Sequence, residues 1–291
     1  MVARAWLLLF GSLLVGLNCG MAAPERYGES VLSPDWHGER ERLVAMAEVA
    51  DSTTLRILQD LGLGPDWDCL EVGAGAGTVA AWLASQVPGG SVLATDIDTR
   101  WLHAIDAPTL HVAAHDIVLD PLPESAFHLV HARFVLEHLP ERDAVLAKLC
   151  RSLRPGGLLV IESIASFPIA SGGTPAFRDA MHAIESTLAA TIGTDARWPR
   201  TFPAPLLAHG LTEVSASVHI PATGGRNASA RCWSHTLTQL RPRILEHMPQ
   251  ASTAVDEALS LLDRPEFFEL AFATAVCWGR RPAPHPPGHQ R

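Results

Sequence analysis

Asp68-Cys-Leu-Glu-Val-Gly-Ala-Gly-Ala-Gly-Thr78 decides the fold. Asp68 to Val72 is a short apolar run of the kind that forms a buried strand. It breaks into Gly73-Ala-Gly-Ala-Gly77, and Thr78 to Gln86 resumes at helical spacing until Pro88-Gly89-Gly90. Glycine reaches φ > 0 and lets a ligand approach the backbone closely. The helix that follows starts with N–H groups that have no partner within the helix. A glycine-rich turn by itself is also a common tight turn, so its neighbours have to decide what it does.

Upstream, Leu43, Met46, Ala47, Ala50, Thr54, Leu55 and Leu58 recur at helical intervals between Glu39 and Leu61, and Gly62 and Gly64-Pro65 end the pattern. Downstream, strands are expected at Ser91 to Thr95 (closing on Asp96), His111 to Ala114 (closing on Asp116), Phe127 to His131 and Leu158 to Glu162. A helix through about Leu153 precedes the last of these, which follows the turn Arg154-Pro-Gly-Gly157. Short strands alternating with helices predict an α/β fold with a doubly wound parallel sheet. Beyond Ser163 the pattern is less regular. Thr212 to His219 alternates like a strand, Pro221 to Asn227 reads as a loop, Arg231 to Glu246 as a helix and Glu269 to Trp278 as a final strand.

The spacing around the glycines narrows the chemistry. The dinucleotide fingerprint G-x-G-x-x-G, started at Gly73, puts its third glycine on Thr78, so a pyrophosphate site is disfavoured. Asp96 closes the second strand 19 residues past Gly77, where a carboxylate can accept both hydroxyls of a ribose. Asp116 closes the third, where it could accept from an adenine amino group. Each aspartate alone could equally be a turn or N-cap residue. Carboxylates also suit a positively charged ligand better than a pyrophosphate.

LEVGAGAGTVAAWLA, TDID, HDI, FHLVHARFVLEHL and LRPGGLLVIE, in that order, resemble the motifs of class I S-adenosylmethionine-dependent methyltransferases. The match runs from about Asp66 to Glu162. The flanks, with Tyr27-Gly28 and the ERERL helix start at Glu39 to Leu43, resemble small-molecule methyltransferases of actinomycete type. The resemblance implies a mostly parallel, seven-stranded, Rossmann-like sheet with a helical N-terminal element and inserted C-terminal cap elements. It implies one domain over residues 21–281, with a cofactor-binding core at 66–162 and a substrate cap from 21–64 and 163–262. It also implies S-adenosylmethionine as cofactor and a small organic acceptor, methylated at oxygen or nitrogen and occasionally carbon. Gly73, Gly75 and Gly77 would pass under the methionine portion. Glu71 would orient the turn or reach the amino group through water. Asp96 would hold the ribose, with Ile97 packed on adenine. Asp116 would take the adenine amino group, with Ile117 beside it. Arg133, just after the fourth strand, would lie near the methionine carboxylate. Where the family has Phe-Asp, this chain has Phe127-His128, and altered local hydrogen bonding is expected there.

His138, in Leu136-Glu-His-Leu139, follows the fourth strand and is the candidate base for an acceptor hydroxyl; packing against the cap or sheet is the competing role. His111 with His115, and His128 with His131, have spacings that could hold metal on a helix. On strands those spacings face differently, so no metal is expected. Tyr27 is a candidate lid residue over the cofactor. Trp36, Trp198, Phe202 and Trp233 are candidates for an apolar acceptor pocket, or else core residues.

The 291 residues carry 22 basic and 31 acidic side chains, a net charge of −9 that disfavours nucleic acid as a partner. Residues AVILMFWYC make up 47 %, enough for a substantial core. Cys19, Cys69, Cys150, Cys232 and Cys277 are too widely spaced for a zinc ribbon and are expected to be reduced thiols. Residues 1–20 carry an apolar run from Ala5 to Leu17. It reads as a signal-like segment or as an extension upstream of a true start at Met21. No stable membrane insertion is expected, and a homodimer is left open. Because the implied cofactor is made and kept in the cytoplasm, a cytoplasmic location is favoured over export. The proline-rich tail from 282 to 291 is expected to be disordered.

Overall fold

The computed structural model describes residues 25–283. The apolar head, Cys19 and the tail from residue 284 lie outside the described residues. In chain order the elements are α1 (Glu39–Leu61), β1 (Asp68–Val72), α2 (Thr78–Gln86), β2 (Ser91–Asp96), β3 (Leu110–Ala114), β4 (Phe127–Arg133), α3 (Arg142–Ser152) and β5 (Leu153–Ala165). Then follow α4 (Pro175–Ile192), α5 (Ala204–Ala208), β6 (Thr212–His219), β7 (Ala222–Gly224), α6 (Ala228–His247), α7 (Ser252–Leu262), β8 (Phe268–Leu270) and β9 (Ala273–Arg280).

Seven strands form one sheet in the order β3-β2-β1-β4-β5-β9-β6. All run parallel except β9, which is antiparallel to β5 and β6. The fold is the doubly wound, mostly parallel, Rossmann-like seven-stranded sheet expected from the sequence. Strand order reverses between β1 and β4, and in such sheets ligands bind outside the carboxyl ends of the strands at that reversal.

Both faces of the sheet are covered, which is why the central strands read as unbroken apolar runs. One face packs Leu70, Val72, Val130, Ala132, Leu159 and Ile161 against Val145, Leu146 and Leu149 of α3. The other packs Cys69, Leu129, Leu158 and Val160 against Ile57 and Leu58 of α1 and Val79 and Leu83 of α2. A separate apolar cluster joins α4, α6 and α7 through Phe177, Met181, Ile184, Leu237, Leu240, Ile244 and Val255, and takes in Val31 and Leu32 from the segment before α1. Cys69, Cys150, Cys232 and Cys277 are free and buried.

Several elements differ from the sequence reading. Helix α3 begins only at Arg142, after a short 3-10 turn at Leu136–His138; Pro140 disfavours helical backbone in the residue before it. Strand β5 starts at Leu153, so Arg154-Pro-Gly-Gly157 is an irregular lead-in rather than a separate turn, with a register shift between Phe127 and Leu129. The expected loop at Pro221 to Asn227 contains β7, which pairs with β8. The expected last strand is two, divided at Ala271-Phe272. Helices α4 and α7 fall in the stretch whose pattern is irregular by sequence, although the spacing of Phe177, Met181, Ile184 and Leu188 is helical. Among the described residues, no helix is long and apolar enough to cross a membrane.

Candidate functional site

A cavity of about 600 Å³ lies at the carboxyl ends of β1, β2 and β4, within the size range of ligand pockets. The glycine turn forms one wall. Gly73, Gly75 and Gly77 have φ of 66°, 53° and 80°. A Cβ on Gly73 would collide with Val135, whereas one on Gly75 would meet nothing nearer than Leu43 Cδ2 at 3.9 Å. Gly77 does not line the cavity. It is the N-cap of α2, and a Cβ there would collide with Ile105 and crowd Leu102. Its role is close packing, not the ligand approach expected from the sequence.

Asp96 ends β2 on the same wall. Its Oδ2 accepts from the Gly75 N–H (2.8 Å) and its Oδ1 from the Asp98 N–H (3.0 Å), so the carboxylate is tied to the glycine turn. Burial pushes its pKa up, and these amides offset part of the rise. Asp116 follows β3 and accepts from the Val118 N–H at 2.9 Å, and Arg26 Nη2 lies 2.6 Å from its Oδ2. Partial burial alone would raise its pKa, but Arg26 and the backbone amides hold it below the usual range. Ile97 and Ile117 also line the cavity, Ile97 half exposed and Ile117 buried. Residues 25–34 form the roof, and Glu25, Arg26, Tyr27 and Glu29 face inward.

Behind the glycines lies a buried polar row. Glu71 and His131 are register partners on β1 and β4, and Arg133 and Glu162 are partners on β4 and β5. His131 Nδ1 is 2.6 Å from Glu71 Oε2, and Nε2 is 3.0 Å from Glu162 Oε1. Burial opposes charge on this ring, yet the two carboxylates push its pKa up to about 9. Glu162 is held below its usual value, burial being outweighed by His131 and Arg133. Thr54 Oγ1 lies 3.0 Å from Glu162 Oε2 and accepts from Arg133 Nη1 at 2.9 Å. Arg133 Nη2 donates to Asp51 Oδ1 at 2.8 Å. Arg133 itself lines the cavity.

At the inner end, Tyr27, Leu32, Met46, Phe134 and His138 border both this cavity and a second, smaller one. The second continues between Val49, Ile164, Trp233 and Phe272. Trp233 stacks at a tilt on Phe272, ring centres 4.6 Å apart. Arg42, also on this wall, is bound by both oxygens of Glu39, and its Nη2 lies 3.4 Å from the Tyr27 hydroxyl. His138 Nδ1 is 2.9 Å from Thr194 Oγ1, and its ring centre is 5.2 Å from that of Tyr27. Burial, with Arg42 and Arg142 nearby, pushes His138 down to about 3, so the ring is neutral. Phe134 and Leu32 hold left-handed backbone, φ 59° and 53°. Such strain in non-glycine residues concentrates at functional sites.

Residues 70–159 match the family model described as a methyltransferase domain. This segment carries a methyltransferase domain, in line with the resemblance to class I S-adenosylmethionine-dependent methyltransferases. The chain is similar to methyltransferase str3 of Strobilurus tenacellus, 33 % identical over 107 residues, which are 37 % of this chain and 39 % of that protein. It is also similar to the ubiquinone/menaquinone biosynthesis C-methyltransferase UbiE of Laribacter hongkongensis, 34 % identical over 113 residues, 36 % of this chain and 46 % of the relative. The chain therefore spans less than half the length of these curated relatives. In fold it resembles the phosphoethanolamine N-methyltransferase 2 of Haemonchus contortus in complex with S-adenosyl-L-methionine. The TM-score is 0.54 at 16 % identity, covering 85 % of this chain and 59 % of that one.

The cavity brings together Gly73, Gly75, Asp96, Ile97, Asp116, Ile117, Arg133 and His138 of residues 70–159 with Tyr27 from outside that segment. Arg133 closes β4 rather than following it. Glu71 does not reach the cavity, because its side chain turns onto the sheet face toward His131. Trp198 is also displaced from its expected place. It packs edge-on against Phe202, ring centres 4.9 Å apart, in the cluster on the α3 face, and neither ring borders either cavity. Trp36 borders neither cavity. Trp233 borders the second. His128, at the start of β4, accepts at Nδ1 from the Asp68 N–H at 2.9 Å. Among the described residues, no three His, Cys, Asp or Glu side chains are grouped to hold a metal ion. The sequence reading missed Asp51, Thr54, Glu162 and Phe134. Only the LVIE162 motif and the helical repeat containing Thr54 hinted at two of them.

Proposed function

We propose that this protein transfers the methyl group of S-adenosylmethionine to a small organic acceptor at oxygen or nitrogen, or at carbon, and releases S-adenosylhomocysteine. The observation that carries this reading is a cofactor-sized crevice flanked by Asp96, Asp116 and Arg133, which shares Tyr27, Phe134 and His138 with a small, mostly apolar cavity of about 70 Å³. The open space beside Gly75 and the carboxylate beside it suit a ribose and a close backbone approach.

In this reading Asp96 accepts the ribose hydroxyls. Ile97 and Ile117 flank the adenine, and Asp116 accepts from its amino group. Arg133 faces the carboxylate of the methionine portion. When bound, the cofactor supplies a sulfonium-activated methyl carbon, whose bond to sulfur breaks as the bond to the acceptor forms. The protein's main task is alignment, for which effective molarity can supply about 7–11 kcal/mol. Tyr27 and Trp233 contact the acceptor. Arg42 is paired with Glu39 and His138 is neutral, so the small cavity beside Tyr27 favours an apolar part of the acceptor. His138 is the candidate base, but with its pKa pushed down to about 3 its part is to accept a hydrogen bond from the acceptor and orient it, and the proton displaced by methylation leaves to solvent. Residues 21–281 act as one unit in this account, with the cap drawn from 21–64 and 163–262. The site of action is the cytoplasm.

The test is transfer of labelled methyl from S-adenosylmethionine to a panel of phenols, amines and hydroxylated small molecules. Transfer to at least one, lost with Asp96→Ala, supports the proposal. Cofactor binding without transfer to any member would favour a non-catalytic binding protein of the same fold.

A further inference from the structure

Glu71, His131 and Glu162 are each almost wholly buried. Buried ion pairs are poor stabilisers, because the desolvation they require consumes most of the attraction. Apolar side chains continuing the layer of Leu129, Leu158 and Val160 would serve packing at least as well. The row nevertheless replaces that layer where the sheet meets the crevice, and it ends on Arg133.

We propose that His131 is a positioning residue for the amino-acid end of the cofactor: bonded to Glu71 and Glu162 together, it fixes Glu162, and through Thr54 the guanidinium of Arg133. This rests on the crevice being the cofactor site. Each ring nitrogen faces a carboxylate oxygen, and ionised carboxylates only accept, so the geometry calls for N–H on both nitrogens. The cation is shared between two anions. Glu162 is thereby partly neutralised and draws less on Arg133. Thr54 and Asp51 each take one N–H of Arg133, which leaves its remaining donors for a ligand carboxylate. Without His131, Glu162 would stand uncompensated beside Arg133 and compete with that carboxylate.

The test compares two probes by calorimetry. S-adenosylhomocysteine carries the amino-acid end, whereas 5′-methylthioadenosine has the same nucleoside without it. Two variants are used: His131→Gln, and Thr54→Val, which leaves the His131 pair intact and so guards against loss of folding in the first. S-adenosylhomocysteine affinity is expected to fall about tenfold in both variants, while 5′-methylthioadenosine affinity changes by less than about twofold. Equal losses for the two probes, or no loss for either, would overturn the assignment. If the unaltered protein bound neither probe, the cofactor reading itself would fall, and that outcome is distinct from the other two.

Discussion

Arg26 and Asp116 meet at the mouth of the crevice, Nη2 to Oδ2 at 2.6 Å, so the carboxylate assigned to the adenine amino group is already engaged by the roof segment. That segment is held elsewhere too. Arg243 bonds Glu25 and Ser30, Gln239 donates to the Ser33 carbonyl, and Arg100 reaches Asp35. In the proposed reading, an adenine amino group would compete with Arg26 for this carboxylate.

Arg26 is about half exposed, so its ion pair contributes at most about 1 kcal/mol. Arg26→Ala is expected to leave the melting temperature within about 2 °C and to tighten S-adenosylhomocysteine two- to fivefold by calorimetry. A tenfold loss would instead make Arg26 a ligand contact.

Gly75 and Gly77 separate binding from packing. Gly77→Ala forces a left-handed residue and a clash with Ile105, and should cost about 1–3 kcal/mol of stability. Gly75→Ala meets no such clash and should cost about 1 kcal/mol, yet weaken the cofactor at least tenfold because its methyl enters the crevice. Denaturant melts and calorimetry on both variants check the pair; cofactor loss confined to Gly77→Ala would reverse the assignment.

The β1–α2–β2 unit was readable because its signals are local. Apolar runs, glycines and an aspartate at a strand end lie within thirty residues of one another. The seven-stranded sheet followed from the repetition of that pattern. The buried row was not readable. Glu71 and Glu162 are 91 positions apart, and only the register of three strands places them on either side of His131. By spacing His131 pairs with His128, a chain neighbour that faces Asp68 and Trp67 instead. Gly77 and Trp198 were misplaced for the same reason, since residue type suits a ligand wall or a packing contact equally well. Which one it is depends on what faces the side chain, here Ile105 and Phe202.

His131 makes stability depend on pH. Its folded pKa, about 9, lies above the ordinary value of 6.5. The stabilisation is therefore full below about pH 6.5 and is lost as pH rises through 9. Glu71, Glu162, Arg133 and Asp51 are the charged groups around it. Urea melts from pH 6 to 10 should show this loss, and His131→Gln should flatten it.

Glu137 adds a second dependence. Its Oε1 accepts from the Ile164 N–H at 2.8 Å, its buried Oε2 has no partner among the described residues, and burial pushes its pKa up to about 7. Stability from the protonated form is full below about pH 4.5 and lost as pH rises through 7. Glu137→Gln should raise the melting temperature at pH 8 by several degrees and leave it nearly unchanged at pH 4.5. An equal shift at both values would contradict the assignment.

The central claim is that Asp96 grips a nucleoside sugar beside the glycine turn. Calorimetric titration of S-adenosylhomocysteine into the unaltered protein and into Asp96→Ala tests it most directly. Micromolar binding that weakens at least thirtyfold in the variant is the predicted result. No binding to the unaltered protein, or equal affinity in the two, would contradict it.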